Sequence, residues 1–264
     1  MPTIEQRLAA GARVLWCCAH PDDEFLTGAL LARASVYYGN PVHLVIMTRG
    51  EGGRSGERVG DPDLGDIRDA EMRAVADRLG ATVEIERFFN APLPGSSFSP
   101  RHEIARRWRN EGDPEGVIAA AIRRFRPDIV LTFDPTFGAT DHPEHQLASR
   151  MTTEAIRMAA DPEREIEDLP PHAPDVTYYA LARHWFLRLL GKADPGPVDE
   201  WWSGSLPCGD GRSCLEFLVE LTLLHRSQER GLAMFRRLSR VFERLALRRV
   251  DPLTERTPSP DEPA

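Results

Sequence analysis

Three observations predict an α/β fold. Continuous apolar runs of strand length recur at RVLWCCA (13–19), VHLVIMT (42–48) and DIVLTF (128–133). Segments of helical periodicity lie between them, and strand and helix alternate at least four times before residue 135. Runs apolar at every position suit strands covered on both faces, and parallel neighbours need crossover connections that helices supply. The expected architecture is a Rossmann-like, mainly parallel sheet with helices on both faces. A less regular C-terminal portion follows and ends, by its periodicity, in a long helix.

The elements follow in chain order. After the first strand, EFLTGALLARASVYYG (24–39) places apolar residues at helical spacing and stops at Gly39. The second strand leads into RGEGGRSGERVGDPDLGD (49–66), which is too rich in glycine and charge to be other than a long loop. IRDAEMRAVADRLG (67–80) is an amphipathic helix with a glycine stop, and TVEIERF (82–88) alternates weakly as a strand. GVIAAAIRRFRP (116–127) is a helix stopped by proline. DPTFGATDHPEHQLAS (134–149) is a charged loop that opens a helix, and DPEREIEDLPPHAPD (161–175) is an acidic, proline-rich connection. VTYYALA (176–182) reads as a late strand, and residues 191–213 read as an exposed loop with Trp201 and Trp202 tucked onto something. Residues 214–250 keep helical periodicity over most of their length. The tail, DPLTERTPSPDEPA, is poor in apolar residues and is expected to be disordered. Residues 1–250 are thus read as one α/β domain, with 13–150 as its chemical core and 176–250 as an extension.

Composition narrows the function classes. Hydrophobic residues at 41% and charged residues at 28% are ordinary for a soluble globular chain. The 33 basic and 41 acidic side chains give −8, which argues against a general binder of nucleic acid or anionic membrane. No stretch approaches the ~18 apolar residues that span a bilayer. The N-terminus lacks the pattern of a signal peptide. Four cysteines at 17, 18, 208 and 214 include no Cys-x-x-Cys pair. Cys17 and Cys18 read as inert strand residues, and Cys208 and Cys214 as a reduced pair, in keeping with a cytoplasmic protein.

Ligands in parallel sheets bind at the carboxyl ends of the strands, where three charged loops converge here. The first, CCAHPDDEF (17–25), crowds His20, Asp22, Asp23 and Glu24 directly after a buried strand. Adjacent carboxylates repel, so the cluster needs open water or a cation. His20 and Asp23 stand three apart, and His142 and His145 repeat that interval where a helix begins, so each pair shares a face. Two histidines and a carboxylate suit a catalytic zinc that keeps a fourth position for water. A solvated acidic turn with surface histidines is the alternative for either motif taken alone. Glu24 fits an N-terminal helix residue complementing the dipole better than it fits a ligand.

AHPDDE after the first strand, TRGEGG after the second, IRDAEMRAVADRLG, and DHPEH after PDIVLTF occur in this order, with HRSQ at 225–228. Together they resemble the PIG-L (LmbE-like) family of zinc-dependent N-deacetylases, which act on N-acetylglucosamine-type conjugates and related amides. The resemblance implies His20, Asp23 and His145 as metal ligands, with zinc as the metal; iron(II) suits the same donors. It implies Asp22 as the base that takes the proton of the attacking water. His142 would hydrogen-bond the oxyanion or protonate the leaving amine. Glu144 stands where the family usually has Asp, and accepts a histidine proton. Thr140 stands where a family member has Tyr, so Thr140 or a water would replace that oxyanion donor. Arg68 would lie near substrate. His225 and Gln228, i and i+3 on a helix, are spaced to close the pocket together, and a helix-surface reading fits them equally well. Arg49, Glu51 and Arg54 are further groups placed to meet a sugar, and a solvated loop fits Arg49 and Arg54 equally well.

The expected activity is removal of an acetyl group from an N-acetylglucosamine-type conjugate or related N-acyl substrate. The partner is that small molecule, with no nucleic acid and no transmembrane segment, and a homo-oligomer is left open. A nucleotide-binding reading of GEGGRSG fails, because Ser55 stands where the third glycine belongs and the loop follows the second strand. Two alternatives remain: an amidase for a larger acyl or thiol conjugate, and a non-catalytic carbohydrate-binding relative. The second does not explain why Asp22 accompanies all three ligands.

Overall fold

The computed structural model describes residues 1–55, 58–59, 63–92, 99–184, 194, 196–256 and 258–260. A seven-stranded sheet runs through it, built from β1 (Val14–Cys18), β2 (Val42–Ile46), β3 (Thr82–Ile85), β4 (Ile129–Phe133), β5 (Val176–Leu181), β6 (Glu200–Ser203) and β7 (Arg244–Val250), in the order β3-β2-β1-β4-β5-β7-β6. The first five strands in that order are parallel. β7 runs antiparallel between β5 and β6.

The apolar runs divide by alternation. Val14, Trp16, Cys18, Leu44, Ile46 and Leu131 face one layer; Leu15, Cys17, Val45, Met47 and Val130 face the other. The first layer holds α1 (Ile4–Ala9), α2 (Gly28–Ala32), α3 (Leu64–Leu79) and α7 (Cys214–Leu221). The second holds α4 (Arg101–Glu111), α5 (Pro114–Phe125) and α6 (Pro143–Ala160). Burying each such Leu, Ile or Val contributes about 1.5–3 kcal/mol, and a strand apolar at every position gains on both faces. α3 ends where Gly80 takes φ 68°. α5 starts at an Asp113 cap and stops at Arg126, one residue before Pro127.

The structure corrects three sequence expectations. Residues 24–39 form a tight turn (Asp23–Phe25), α2, and a wider last turn in which Tyr38 N–H reaches Arg33 O at 3.2 Å. Residues 214–250 are not one long helix: α7, α8 (Glu229–Arg237) and short turns precede the strand β7. LALRRV is a short mixed segment of apolar residues and two arginines, which periodicity alone cannot assign. Pairing decides it, as Ala246 meets Leu181 and Leu247 meets Ala180. In 191–213, of which 191–193 and 195 lie outside the described residues, 200–203 form edge strand β6. There Trp202 is buried and donates to Glu5 (3.0 Å), while Trp201 stays half-exposed under Arg244. The described residues of the tail lie against α6: Arg157 donates to Pro252 O and Glu255 O, and Arg150 to Ser259 O. Arginine–carbonyl bonds hold this segment where apolar burial cannot. Among the described residues no helix is long and apolar enough to cross a membrane.

Candidate active site

β1, β2 and β4 end side by side, so residues 19–24, 48–53 and 134–145 meet at one edge of the sheet. Asp23 closes β1 locally. Its Oδ2 accepts from the Ala19 and His20 amides (3.0 and 2.9 Å), which turns the chain back and leaves Oδ1 facing outward. Asp22 takes φ 95° in that turn, the left-handed region that a short polar side chain tolerates better than most. The β4 loop is shaped by Asp134, which accepts from the Thr136 and Phe137 amides. Gly138 (φ 53°) follows, where a Cβ would lie 2.6 Å from Gln146 N. His142 and His145 then sit at the N-terminus of α6.

His20 Nδ1, Asp23 Oδ1 and His145 Nε2 are mutually adjacent. The separations are 3.2 Å between the two nitrogens, 3.5 Å from His20 to Asp23 and 3.0 Å from His145 to Asp23. Ligands about 2.0–2.1 Å from a tetrahedral zinc are about 3.3 Å apart, so the spacing fits. The outer partners fix the tautomers. His20 Nε2 donates to Glu144 Oε2 at 2.6 Å, and His145 Nδ1 donates to Gly138 O at 2.8 Å. Carboxylate and carbonyl only accept, so in the neutral rings both facing nitrogens carry lone pairs. Two lone pairs and a carboxylate oxygen aimed at one point make a cation-binding donor set. The three imidazoles of His20, His142 and His145 also approach, within 4.8 Å. The trio containing Asp23 is tighter, and His142 Nδ1 already accepts the Glu144 amide at 3.3 Å.

The electrostatics agree. Burial opposes protonation of His20, yet Asp23 and Glu144 outweigh it and lift its proton affinity to about 10. Burial likewise raises Asp23, but His145 and His20 hold it well below the usual carboxylate range. Burial, with the charges of His145 and His20, pushes His142 well down, so its ring is neutral. Burial raises Asp22 against the pull of Arg68 and His225.

Arg68 ties two of the loops together. It donates to Asp22 Oδ1 (2.6 Å), Gly50 O (3.0 Å) and Pro21 O. Gly50 (φ 69°) must be glycine for this, since a Cβ there would lie 2.5 Å from the guanidinium carbon. A cavity of about 220 Å³ opens over the centre, lined by His20, Asp22, Asp23, Arg68, His142, His145 and Gln228. Phe25, Gly53, Asn90 and Ala91 complete the wall.

Seven sequence-predicted residues therefore converge, and others do not. Arg49 pairs with Asp66 at 2.5 Å, away from the cavity wall. His225 is 1% exposed and donates from Nε2 to Glu24 Oε1 at 2.6 Å, so Glu24 is a buried partner rather than a helix-end charge. The Thr140 side chain lies outside the described residues. Glu144 is 1% exposed and saturated: besides His20 it accepts from Asn90 Nδ2 (2.7 Å) and the Ala91 amide (2.8 Å). Asn90 and Ala91 were missed by sequence reasoning. FFNAP follows β3 at the same sheet edge, and the strand-end rule that found the other loops would have found it.

Comparison with known proteins places this geometry in context. The family model "PIG-L: GlcNAc-PI de-N-acetylase" matches residues 15–156. The 1D-myo-inositol 2-acetamido-2-deoxy-alpha-D-glucopyranoside deacetylase of Mycolicibacterium vanbaalenii is 32% identical over 173 residues, 55% of this chain and 54% of that protein. The mycothiol S-conjugate amidase of Streptomyces coelicolor is 30% identical over 212 residues, 72% of this chain and 71% of that protein. The chain thus spans about half the length of the first relative and more of the second. Among solved structures, N,N'-diacetylchitobiose deacetylase from Pyrococcus horikoshii superimposes with TM-score 0.65 at 19% identity, covering 94% of this chain and 87% of that one. At that identity the likeness concerns the fold.

Proposed function

The chain belongs to the PIG-L family, and from that premise we propose that it is a zinc-dependent hydrolase that removes the acetyl group from an N-acetylglucosamine-type conjugate. One observation carries the reading. His20 Nδ1, Asp23 Oδ1 and His145 Nε2 converge with their lone pairs aimed at one point, while Asp22 and His142 line the same cavity outside that trio. A binding module has no need of that surplus.

Bound by His20, Asp23 and His145, zinc supplies Lewis acidity toward the amide carbonyl and acidifies the attacking water. Asp22 is the base that takes the water's proton. Its position beside Arg68 fixes the carboxylate, and its raised proton affinity lets the acid form pass that proton on to the departing nitrogen. One proton then leaves water and arrives on the amine, and the acyl carbon gains the hydroxyl. His142 has a different task. Its Nδ1 accepts from the Glu144 amide, so the neutral ring presents Nε2–H, which suits donation to the oxygen that becomes negative. The Glu144 carboxylate orients His20, while its backbone amide holds His142.

The substrate class follows from the walls. Arg68, Asn90 and Gln228 offer polar contacts beside Phe25, a mixture that suits a sugar ring. The cavity is smaller than the about 300–1,000 Å³ typical of drug-sized ligands, so it takes the acylated sugar and leaves the aglycone outside. On the composition and cysteine usage above, we read the enzyme as cytoplasmic. The test is a panel of N-acetylated amino sugars and their conjugates, scored for released amine and acetate. Stripping the metal should abolish turnover, and zinc should restore it. Turnover that survives a chelator, or release of amine only from larger acyl groups, overturns the proposal.

A further inference from the structure

The HRSQ segment turns sharply between α7 and α8, with Gln228 N–H closing on His225 O at 3.1 Å. Two carboxylates from distant parts of the chain hold this turn. Glu24, in the metal loop, accepts from His225 Nε2 at 2.6 Å. Glu71, on α3, takes Ser227 with both oxygens: the backbone amide at 2.8 Å and the hydroxyl at 2.7 Å. The intervening Arg226 points to solvent, and Gln228 reaches the cavity wall. Glu71 stands three residues after Arg68, so one face of α3 carries both groups. Arg68 fixes Asp22 and the glycine loop; Glu71 fixes the turn that presents Gln228.

We propose that Glu71 is a positioning residue for substrate recognition: its paired hydrogen bonds to Ser227 set where the Gln228 amide stands over the metal centre. Gln228 is in turn the group that reads a polar substituent beside the scissile amide, so this inference rests on the amino-sugar reading above. The Gln228 side chain contacts Ser227 Oγ at 3.2 Å, so displacing Ser227 moves both a backbone neighbour and a side-chain partner of Gln228. Hydrogen bonds to a carboxylate are about twice as strong as neutral ones, and two on one residue fix direction as well as distance.

The experiment pairs kinetics with amide hydrogen exchange. Glu71→Ala should lower kcat/KM about 10- to 100-fold, chiefly through KM, with zinc content unchanged. Gln228→Ala should do the same, and the double variant should fall within about 3-fold of either single one, because both remove one interaction. Glu71→Gln, whose oxygen and NH2 can meet the Ser227 amide and hydroxyl, should recover most of the loss. Exchange at residues 225–229 should quicken at least about tenfold in Glu71→Ala, while 14–19 stay protected. Multiplying effects in the double variant, or unchanged exchange at 225–229, overturns the proposal. The exchange arm needs no substrate, so a wrong substrate class shows as an inactive wild type with the exchange difference intact.

Discussion

Replacing Glu144 by Gln should weaken metal binding although Glu144 is not among the three donors. The side chain is isosteric, so packing is preserved, but the carboxylate accepts three hydrogen bonds and the amide cannot. If the Gln oxygen stays on the Ala91 amide, its NH2 faces the Nε2–H of His20 and the Asn90 amide. His20 relieves that clash by moving its proton to Nδ1, the nitrogen that faces Asp23 and His145. The ring is then a donor where it should offer a lone pair. Loss of such an outer partner typically costs about 10- to 100-fold in metal affinity, or about 1.4–2.7 kcal/mol at 1.36 kcal/mol per decade. Competition against a chromophoric chelator measures it directly. Asn90→Ala provides the control, since it removes a second donor to Glu144 and leaves the His20 contact; it should stay within about threefold. An affinity in Glu144→Gln equal to wild type would refute the tautomer argument, and with it the assignment of His20 Nδ1 as a donor to the metal.

Further outcomes follow from the same geometry. Asp22→Asn should keep its zinc and lose most turnover; a zinc loss equal to that of Asp23→Ala would show the two roles exchanged. His142→Ala should lower kcat about 100- to 1,000-fold, as for an oxyanion donor, with metal content and both limbs of the pH–rate profile retained; disappearance of the basic limb would make it a general acid instead. Asp194 is fully buried, accepts from the Ala182 amide alone among the described residues, and burial raises its carboxyl to about 7. Between about pH 4 and 7 the unfolded chain has lost this proton while the folded chain keeps it, so stability falls with rising pH, by at most about 4 kcal/mol. Thermal melts in chelator should therefore show Asp194→Asn gaining on wild type from pH 4 to 7 and no further above; parallel melting curves would refute the burial argument.

The sequence by itself determined the sheet and which side chains gather at its edge. Strands apolar at nearly every position are most stable between two layers, so 13–19, 42–48 and 128–133 announced a covered parallel sheet. The parallel register then obliges their C-terminal loops to meet. His20, Asp22, Asp23, His142 and His145 were legible for that reason, since each lies within a few residues of a strand end or a helix start. What only the tertiary structure decided concerns groups whose partners are far along the chain. Residues 244–250 became a strand because β5 and β6 offered open edges, a fact absent from their own periodicity. Arg68 was expected to lie near substrate; it lines the cavity, and only the tertiary structure shows its guanidinium bound to Asp22, Pro21 and Gly50. His225 was expected in the pocket, yet Glu24, 201 residues away, holds it beneath the surface. Local spacing fixes which side chains share a face. Which carboxylate satisfies a buried histidine or serine depends on the packing of whole elements, and that is set by the total core rather than by any one segment.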